Sequence, residues 1–132
     1  MAIPVHHCAD IERALAFYTG TLGAKLLWRD RDEPGPCFAA VRWRDHDLYL
    51  SSHAGDGVAG AATYLPVADV DAVYAELRAR GYEPRTDRGP VHASPIDQTW
   101  GMRELYVLDP DGNCLRFAAP LDRAPPAHSD PV

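Results

Sequence analysis

The chain has no apolar run that approaches the about 20 residues a helix needs to cross a bilayer, so a membrane-spanning protein is not expected. Its opening residues, Met-Ala-Ile-Pro-Val-His-His, lack the basic start and apolar core of a secretory leader, and a cytoplasmic location is the expectation. Cysteine is scarce. Cys8, Cys37 and Cys114 are an odd number without Cys-x-x-Cys spacing, which argues for free thiols in a reducing compartment. Basic charge is also in deficit: 13 Lys and Arg face 19 Asp and Glu, a formal charge of −6. That balance disfavours nucleic acid as a partner and favours a cationic one. Ser51 and Ser52 lack a Gly-x-Ser-x-Gly turn, and Gly55-Asp56-Gly57 carries an acid where a phosphate cradle needs lysine. What remains is ordinary globular composition, 46% apolar and 24% charged over 132 residues. It suits one domain over residues 1–122, followed by a polar, Pro-rich tail at 123–132.

The order of patterns within that domain repeats. From Ile3 to Cys8 a short apolar stretch reads as a strand, and Asp10 then caps a helix whose apolar positions are Ile11, Ala14, Leu15, Tyr18 and Leu22. Gly20 and Gly23 end it, and strands follow over Lys25–Trp28, Cys37–Trp43 and Asp47–Ser52, with an acidic loop over Asp30–Pro36. The second half opens with a strand over Thr63–Val67. Asp69 then caps a helix marked by Val70, Val73, Tyr74 and Leu77 and stopped at Gly81. Strands are expected over Tyr82–Arg85, Glu104–Leu108 and Asn113–Ala118, the last two joined by the turn Asp109-Pro110-Asp111-Gly112. The result is an α+β protein of two tandem β-α-β-β-β modules, at about 1–53 and 60–119, joined by the Gly/Ala-rich stretch His53–Gly60. Each module has one helix-covered sheet face, and two curled sheets together form a small-molecule cleft, within one chain or between two.

The stretch Ala9-Asp10-Ile11-Glu12-Arg13-Ala14-Leu15-Ala16-Phe17-Tyr18, closing at Leu22-Gly23, resembles the opening module of the vicinal oxygen chelate superfamily. That group includes glyoxalase I, extradiol dioxygenases, fosfomycin-modifying enzymes and the bleomycin-resistance proteins. Gln98-Thr99-Trp100-Gly101-Met102-Arg103-Glu104 and Asp109-Pro110-Asp111-Gly112-Asn113 are similar to the Trp-Gly-Arg-Glu and Asp-Pro-x-Gly-Asn segments of the bleomycin-resistance branch. Two departures stand out: no proline precedes Trp100, and Met102 is inserted after Gly101.

Enzymes of the superfamily hold a divalent cation with His or Glu side chains from several strands. The resemblance puts those positions at Ile3, at Ala62, within Leu48-Tyr49-Leu50 and at Arg116. None of these positions holds a carboxylate or an imidazole, and a guanidinium repels a cation, so no metal and no other cofactor is expected. The six histidines do not restore a site: His6 and His7 point to opposite faces of one strand, while His46, His53, His92 and His128 fall in turns, linker, loop and tail. Cys8 points away from His7, which removes an activated thiolate pair.

Aromatic side chains carry the remaining signal, because flat heteroaromatic ligands bind best against ring faces. In bleomycin-resistance proteins a Trp and a Phe sandwich the drug's bithiazole rings in a cleft between two subunits. By resemblance Trp100 and Phe38 match that pair, Ser51 and Gly112 match further cleft positions, and Tyr64 falls where another aromatic is common. His7 on the cavity face of the first strand and Asp32 in the acidic loop complete the candidates. Trp28 and Trp43 read as packing or rim residues. The resemblance therefore implies a homodimer, with strand exchange between subunits left open, that sequesters a cationic, heteroaromatic, bleomycin-like drug without catalysis. The alternatives are an enzyme with a rearranged metal site and a binder of some other planar molecule.

Overall fold

The protein is described here by a computed structural model covering residues 1–31, 35–84 and 92–121. Asp32, Glu33, Arg85 and the tail with His128 lie outside the described residues. The elements are β1 (Val5–His7), α1 (Ile11–Leu15) with a π-helical extension (Ala16–Thr21), β2 (Lys25–Arg31), β3 (Cys37–Trp43), β4 (His46–Ser51), β5 (Ala62–Pro66), α2 (Val70–Ala79), β6 (Ile96–Asp97), β7 (Met102–Leu108) and β8 (Cys114–Pro120). They form two four-stranded sheets, ordered β1-β4-β3-β2 and β5-β8-β7-β6. The α+β class and the repeated module order follow the sequence pattern.

The chain divides into two compact units. The first holds residues 1–63 and 108–114, the second residues 64–107 and 115–132. In the first, β1 pairs parallel with β4, and β4-β3-β2 form an antiparallel meander. Alternation along β3 and β4 sends Ala39, Val41, Leu48 and Leu50 into the core, with α1 packed against β4 through its buried stripe Ile11, Ala14 and Leu15. In the second unit Leu105, Val107, Leu115 and Phe117 are buried, together with Val70, Val73 and Leu77 of α2. Both helices start as the sequence predicts. The Asp10 carboxylate accepts from the Glu12 and Arg13 amides, and Asp69 from that of Ala72.

Several expectations are corrected. The first helix does not run α-helically to Leu22: the Leu22 amide donates to the Phe17 carbonyl, five residues back, at 2.9 Å. Within that widened turn the Thr19 hydroxyl donates to the Leu15 carbonyl at 2.6 Å, competing with the helical ladder. No strand forms over Tyr82–Pro84: the Arg78 guanidinium takes the Tyr82 carbonyl at 2.9 Å, and Pro84 has no amide to donate. The outer strand of the second sheet is instead the short β6, which the sequence pattern missed. Asp30 extends β2 rather than opening a loop, and His46 begins β4 rather than sitting in a turn.

Candidate functional site

The register of the first sheet decides which side chains share its outer face. His7, Ser51, Phe38 and Asp30 are successive partners across β1, β4, β3 and β2, and Val5, Tyr49, Ala40 and Trp28 form the next row. Partners in register point to one side. The Trp28 and Phe38 rings stack, with centroids 5.8 Å apart and planes within 17°. Tyr49 meets Phe38 edge-on at 5.1 Å and lies tilted to Trp28 at 5.7 Å. Ala40, in register with Trp28 and Tyr49, is buried, while Trp28 itself stays 44% exposed. Such ring pairs are worth about 0.5–1.5 kcal/mol each beyond the area they bury.

Ser51, a candidate ligand contact, is fully buried and already engaged. Its hydroxyl donates to Asp56 at 2.9 Å and accepts from the His53 amide at 3.1 Å. Its immediate effect is to hold the Asp56 carboxylate at Ser51, the β4 partner of Phe38. The loop that carries Asp56 is tight. Gly57 has φ +75° and a Cβ there would come within 3.0 Å of the Val5 carbonyl, so only glycine fits. His7 lies on the Phe38 face by register, with its Nδ1 buried and unpartnered. Gly112 closes the turn after β7 with φ +86°, its amide donating to the Asp109 carbonyl at 3.0 Å.

Beneath this face the first unit holds a buried relay. The Tyr18 hydroxyl donates to Asp109 at 2.8 Å, so its single proton is spent and it must accept from His6 Nδ1–H at 2.9 Å. Thr63 then meets His6 Nε2 at 2.6 Å and can donate to it, which describes a neutral imidazole. Burial lowers the His6 pKa below its ordinary value, with Asp109 opposing that shift. Tyr18 is pushed well above its ordinary range by burial and by Asp109. Asp109 also accepts from the Asp111 and Asn113 amides and from the Asn113 side chain, each at 2.9 Å. Asn113 in turn donates to the His7 carbonyl at 2.9 Å, pinning β1. Cys8 is inert here: burial, aided by Asp111 and Asp109, pushes its thiol up to about 12.

The second unit builds its aromatic face differently. Glu104 on β7 is fully buried, yet four donors converge on its carboxylate. The Trp100 indole N–H donates to it at 3.2 Å, the Gln98 amide at 3.4 Å and Arg116 at 2.7 Å, and the Tyr64 hydroxyl forms a short bond to the same group. Burial alone would raise the Glu104 pKa, but the bonds from Tyr64, Arg116 and Trp100 outweigh it and hold the group ionised below its ordinary range. The Tyr64 phenol, half-desolvated and bonded to this anion, is pushed up to about 12. The Arg116 guanidinium lies over the Tyr64 ring at 5.0 Å and the Tyr106 ring at 4.7 Å, with its Nε buried and unpartnered. Trp100 is 39% exposed and Tyr64 44%, so both rings remain open on one side.

The structure thus groups Phe38, Ser51 and His7 in the first unit and Trp100 and Tyr64 in the second, with Gly112 in a turn of the first. Sequence reasoning missed Glu104, Trp28 and Tyr49 as site-building residues. In the sequence Glu104 ends the tryptophan motif and opens an expected strand, and nothing local marks it as buried. The positions that the resemblance assigned to metal ligands do not fit a cation: Leu48 and Leu50 face the core, Tyr49 belongs to the aromatic trio, and Arg116 is ion-paired to Glu104. Among the described residues no three His, Cys, Asp or Glu side chains converge as a metal set. No helix among them is long and apolar enough to span a membrane.

Comparison with known proteins is consistent in direction. A family model, Glyoxalase/Bleomycin resistance protein/Dioxygenase superfamily, matches residues 5–117. A bleomycin resistance protein from Geobacillus stearothermophilus is 27% identical over 136 residues, spanning 88% of this chain and 93% of that one. The crystal structure of a bleomycin resistance determinant encoded on transposon Tn5 superposes with a TM-score of 0.74 at 25% identity, covering 91% of this chain and 97% of that one. The bleomycin-binding protein of Streptomyces verticillus, solved with copper(II)-bleomycin, is 28% identical with a TM-score of 0.60, covering 89% and 93%.

Proposed function

The chain belongs to the Glyoxalase/Bleomycin resistance protein/Dioxygenase superfamily, and from that premise we propose that it binds and sequesters a bleomycin-family glycopeptide antibiotic without making or breaking a bond. The observation that carries the non-catalytic half is Arg116. Where the resemblance calls for the last metal-binding carboxylate, a guanidinium stands, salt-bridged to buried Glu104 at 2.7 Å. The ligand half is supported by the names of the relatives and by the exposed ring faces.

In this reading Trp100 and Phe38 stack against the drug's planar rings, and Tyr64 adds a third ring. Ser51, Gly112, His7 and Asp32 shape the surroundings, and residues 1–122 act as one domain. The protein works in the cytoplasm as a homodimer, where holding the drug keeps it from activating oxygen on DNA. A calorimetric titration of metal-analysed protein with metal-free and copper-loaded bleomycin tests this. The expected result is saturable binding near about one drug per chain, weakened at least about tenfold by Trp100→Ala with the circular dichroism unchanged. Absence of binding to either drug form overturns the ligand, and a stoichiometric divalent ion with chelator-sensitive turnover overturns the non-catalytic reading.

A further inference from the structure

The chain contains two Asp–Gly pairs, Asp56–Gly57 and Asp111–Gly112, and the first unit holds them in opposite ways. An aspartate followed by glycine has a chemistry of its own, because no Cβ hinders the following amide nitrogen. That nitrogen can attack Cγ of the aspartate in its acid form. The amide proton and the carboxyl hydroxyl leave together as water, and a five-membered succinimide closes. Water then opens the ring. Breaking the N–Cγ bond returns aspartate, and breaking the bond to the main-chain carbonyl carbon leaves isoaspartate, whose main chain runs through the former side-chain carboxyl. No other reactant is consumed and nothing is oxidised or reduced.

At Asp111 the fold ties down both reacting groups. Oδ1 accepts from the Ala9 amide at 2.9 Å and from Arg13 at 3.0 Å, and the side chain is only 6% exposed. The Gly112 amide is engaged as well, donating to the Asp109 carbonyl at 3.0 Å. At Asp56 the same groups are open. The residue is exposed, and the Ser51 hydroxyl, 2.9 Å from Oδ2, is its side chain's one partner among the described residues. Among those residues the Gly57 amide has no hydrogen-bond partner. Asp56 also stands between two glycines in the left-handed region, Gly55 at φ +90° and Gly57 at φ +75°. A Cβ on Gly55 would meet nothing within 4 Å, so the chain ahead of Asp56 can turn with little resistance.

We propose that Asp56–Gly57 is a self-modification site, at which the folded protein converts spontaneously to isoaspartate, while the fold protects Asp111–Gly112. The product puts an extra methylene into the main chain beside Gly57, where even a Cβ would come within 3.0 Å of the Val5 carbonyl. It also moves the free carboxylate onto a shorter arm, away from the Ser51 hydroxyl that holds it. Conversion thus detaches the turn at 53–57 from β4 and β1 and alters this end of the first sheet with time, without a second protein. The chemistry needs only water and is independent of the proposed drug.

The full chain is incubated at pH 7, folded and, in parallel, unfolded in urea, until both pairs have half converted in urea. Isoaspartate is read by methyl transfer from S-adenosylmethionine with an isoaspartyl methyltransferase. It is located by electron-transfer fragmentation of the tryptic peptides 45–78 and 104–116. In the folded chain Asp56 is expected to convert and Asp111 at least about tenfold more slowly, because its turn must first open against three hydrogen bonds. Asp56→Glu, which would need a six-membered ring, should abolish methyl incorporation into the folded chain with the circular dichroism unchanged. Asp56→Asn should convert faster than the parent, with ammonia leaving in place of water and a mass gain on the same peptide. Similar rates at the two pairs in the folded chain, conversion of Asp111 alone, or an inert Asp56 would overturn the site. So would undiminished methyl incorporation in Asp56→Glu, or an Asp56→Asn chain that stays unchanged.

Discussion

On the first sheet Trp28, Phe38 and Tyr49 are held by one another's rings, with carboxylates at the edge in water. On the second, Trp100 and Tyr64 hang by hydrogen bonds from a carboxylate that water does not reach. The same residue types therefore present open faces by two means. Ring-on-ring packing is forgiving, because each contact is weak and a neighbour can shift to refill it. A buried carboxylate with several donors is not, because removing it strands every donor at once.

The sharpest way to break the symmetry is Glu104→Ala. It leaves a half-buried guanidinium without its anion and Trp100, Tyr64 and Gln98 without their acceptor, and should cost about 2–4 kcal/mol in urea unfolding. Next is Tyr18→Phe in the first unit, which strands His6 Nδ1–H and takes one donor from Asp109 Oδ2, leaving it the Asn113 side chain, and should cost about 1–3 kcal/mol by the same measurement. Trp28→Ala follows at about 0.5–1.5 kcal/mol, since that indole is nearly half in water and loses mainly its ring contacts. Any larger loss would mean that the first face is as rigidly constructed as the second.

Acidification should separate the units without any substitution. The His6 imidazole has a folded pKa below 6.5, so between the two values the unfolded chain takes up a proton that the folded chain refuses. Its contribution is complete above pH 6.5 and declines as pH falls through the folded value. Glu104 is held below 4.5, so its contribution is complete above pH 4.5 and declines only at lower pH. Residue-resolved amide exchange at about pH 5.5 should therefore show the first unit loosened and the second intact. His6→Gln should flatten the upper part of the stability profile.

The strands of the first sheet were legible because Cys37–Trp43 alternates apolar and outward residues, and both helix starts because Asp10 and Asp69 are local caps. The ring trio was not. From sequence Trp28 reads only as packing or rim, and pairing of β2 with β3 is what puts its ring on Phe38. Glu104 and Asp109 were opaque for a stronger reason. A carboxylate in a strand or turn reads as solvated unless donors enclose it, and Tyr18 reaches Asp109, as Tyr64 and Arg116 reach Glu104, from other elements.

What the amino-acid order determined alone is what depends on neighbours within a turn or a strand: the repeated module, the caps, the Asp109–Gly112 turn, and the absence of metal-binding side chains where the resemblance requires them. What only the tertiary structure decided is which charges are buried and which aromatic faces stay open. Tyr64 and Arg116 must be brought to Glu104 from separate strands before its charge can be sheltered, and Asp56 must be caught by Ser51 before its charge has a fixed place. Burial and charge placement are properties of the assembled neighbourhood, because the field at a side chain is set by groups that the chain separates and the fold reunites.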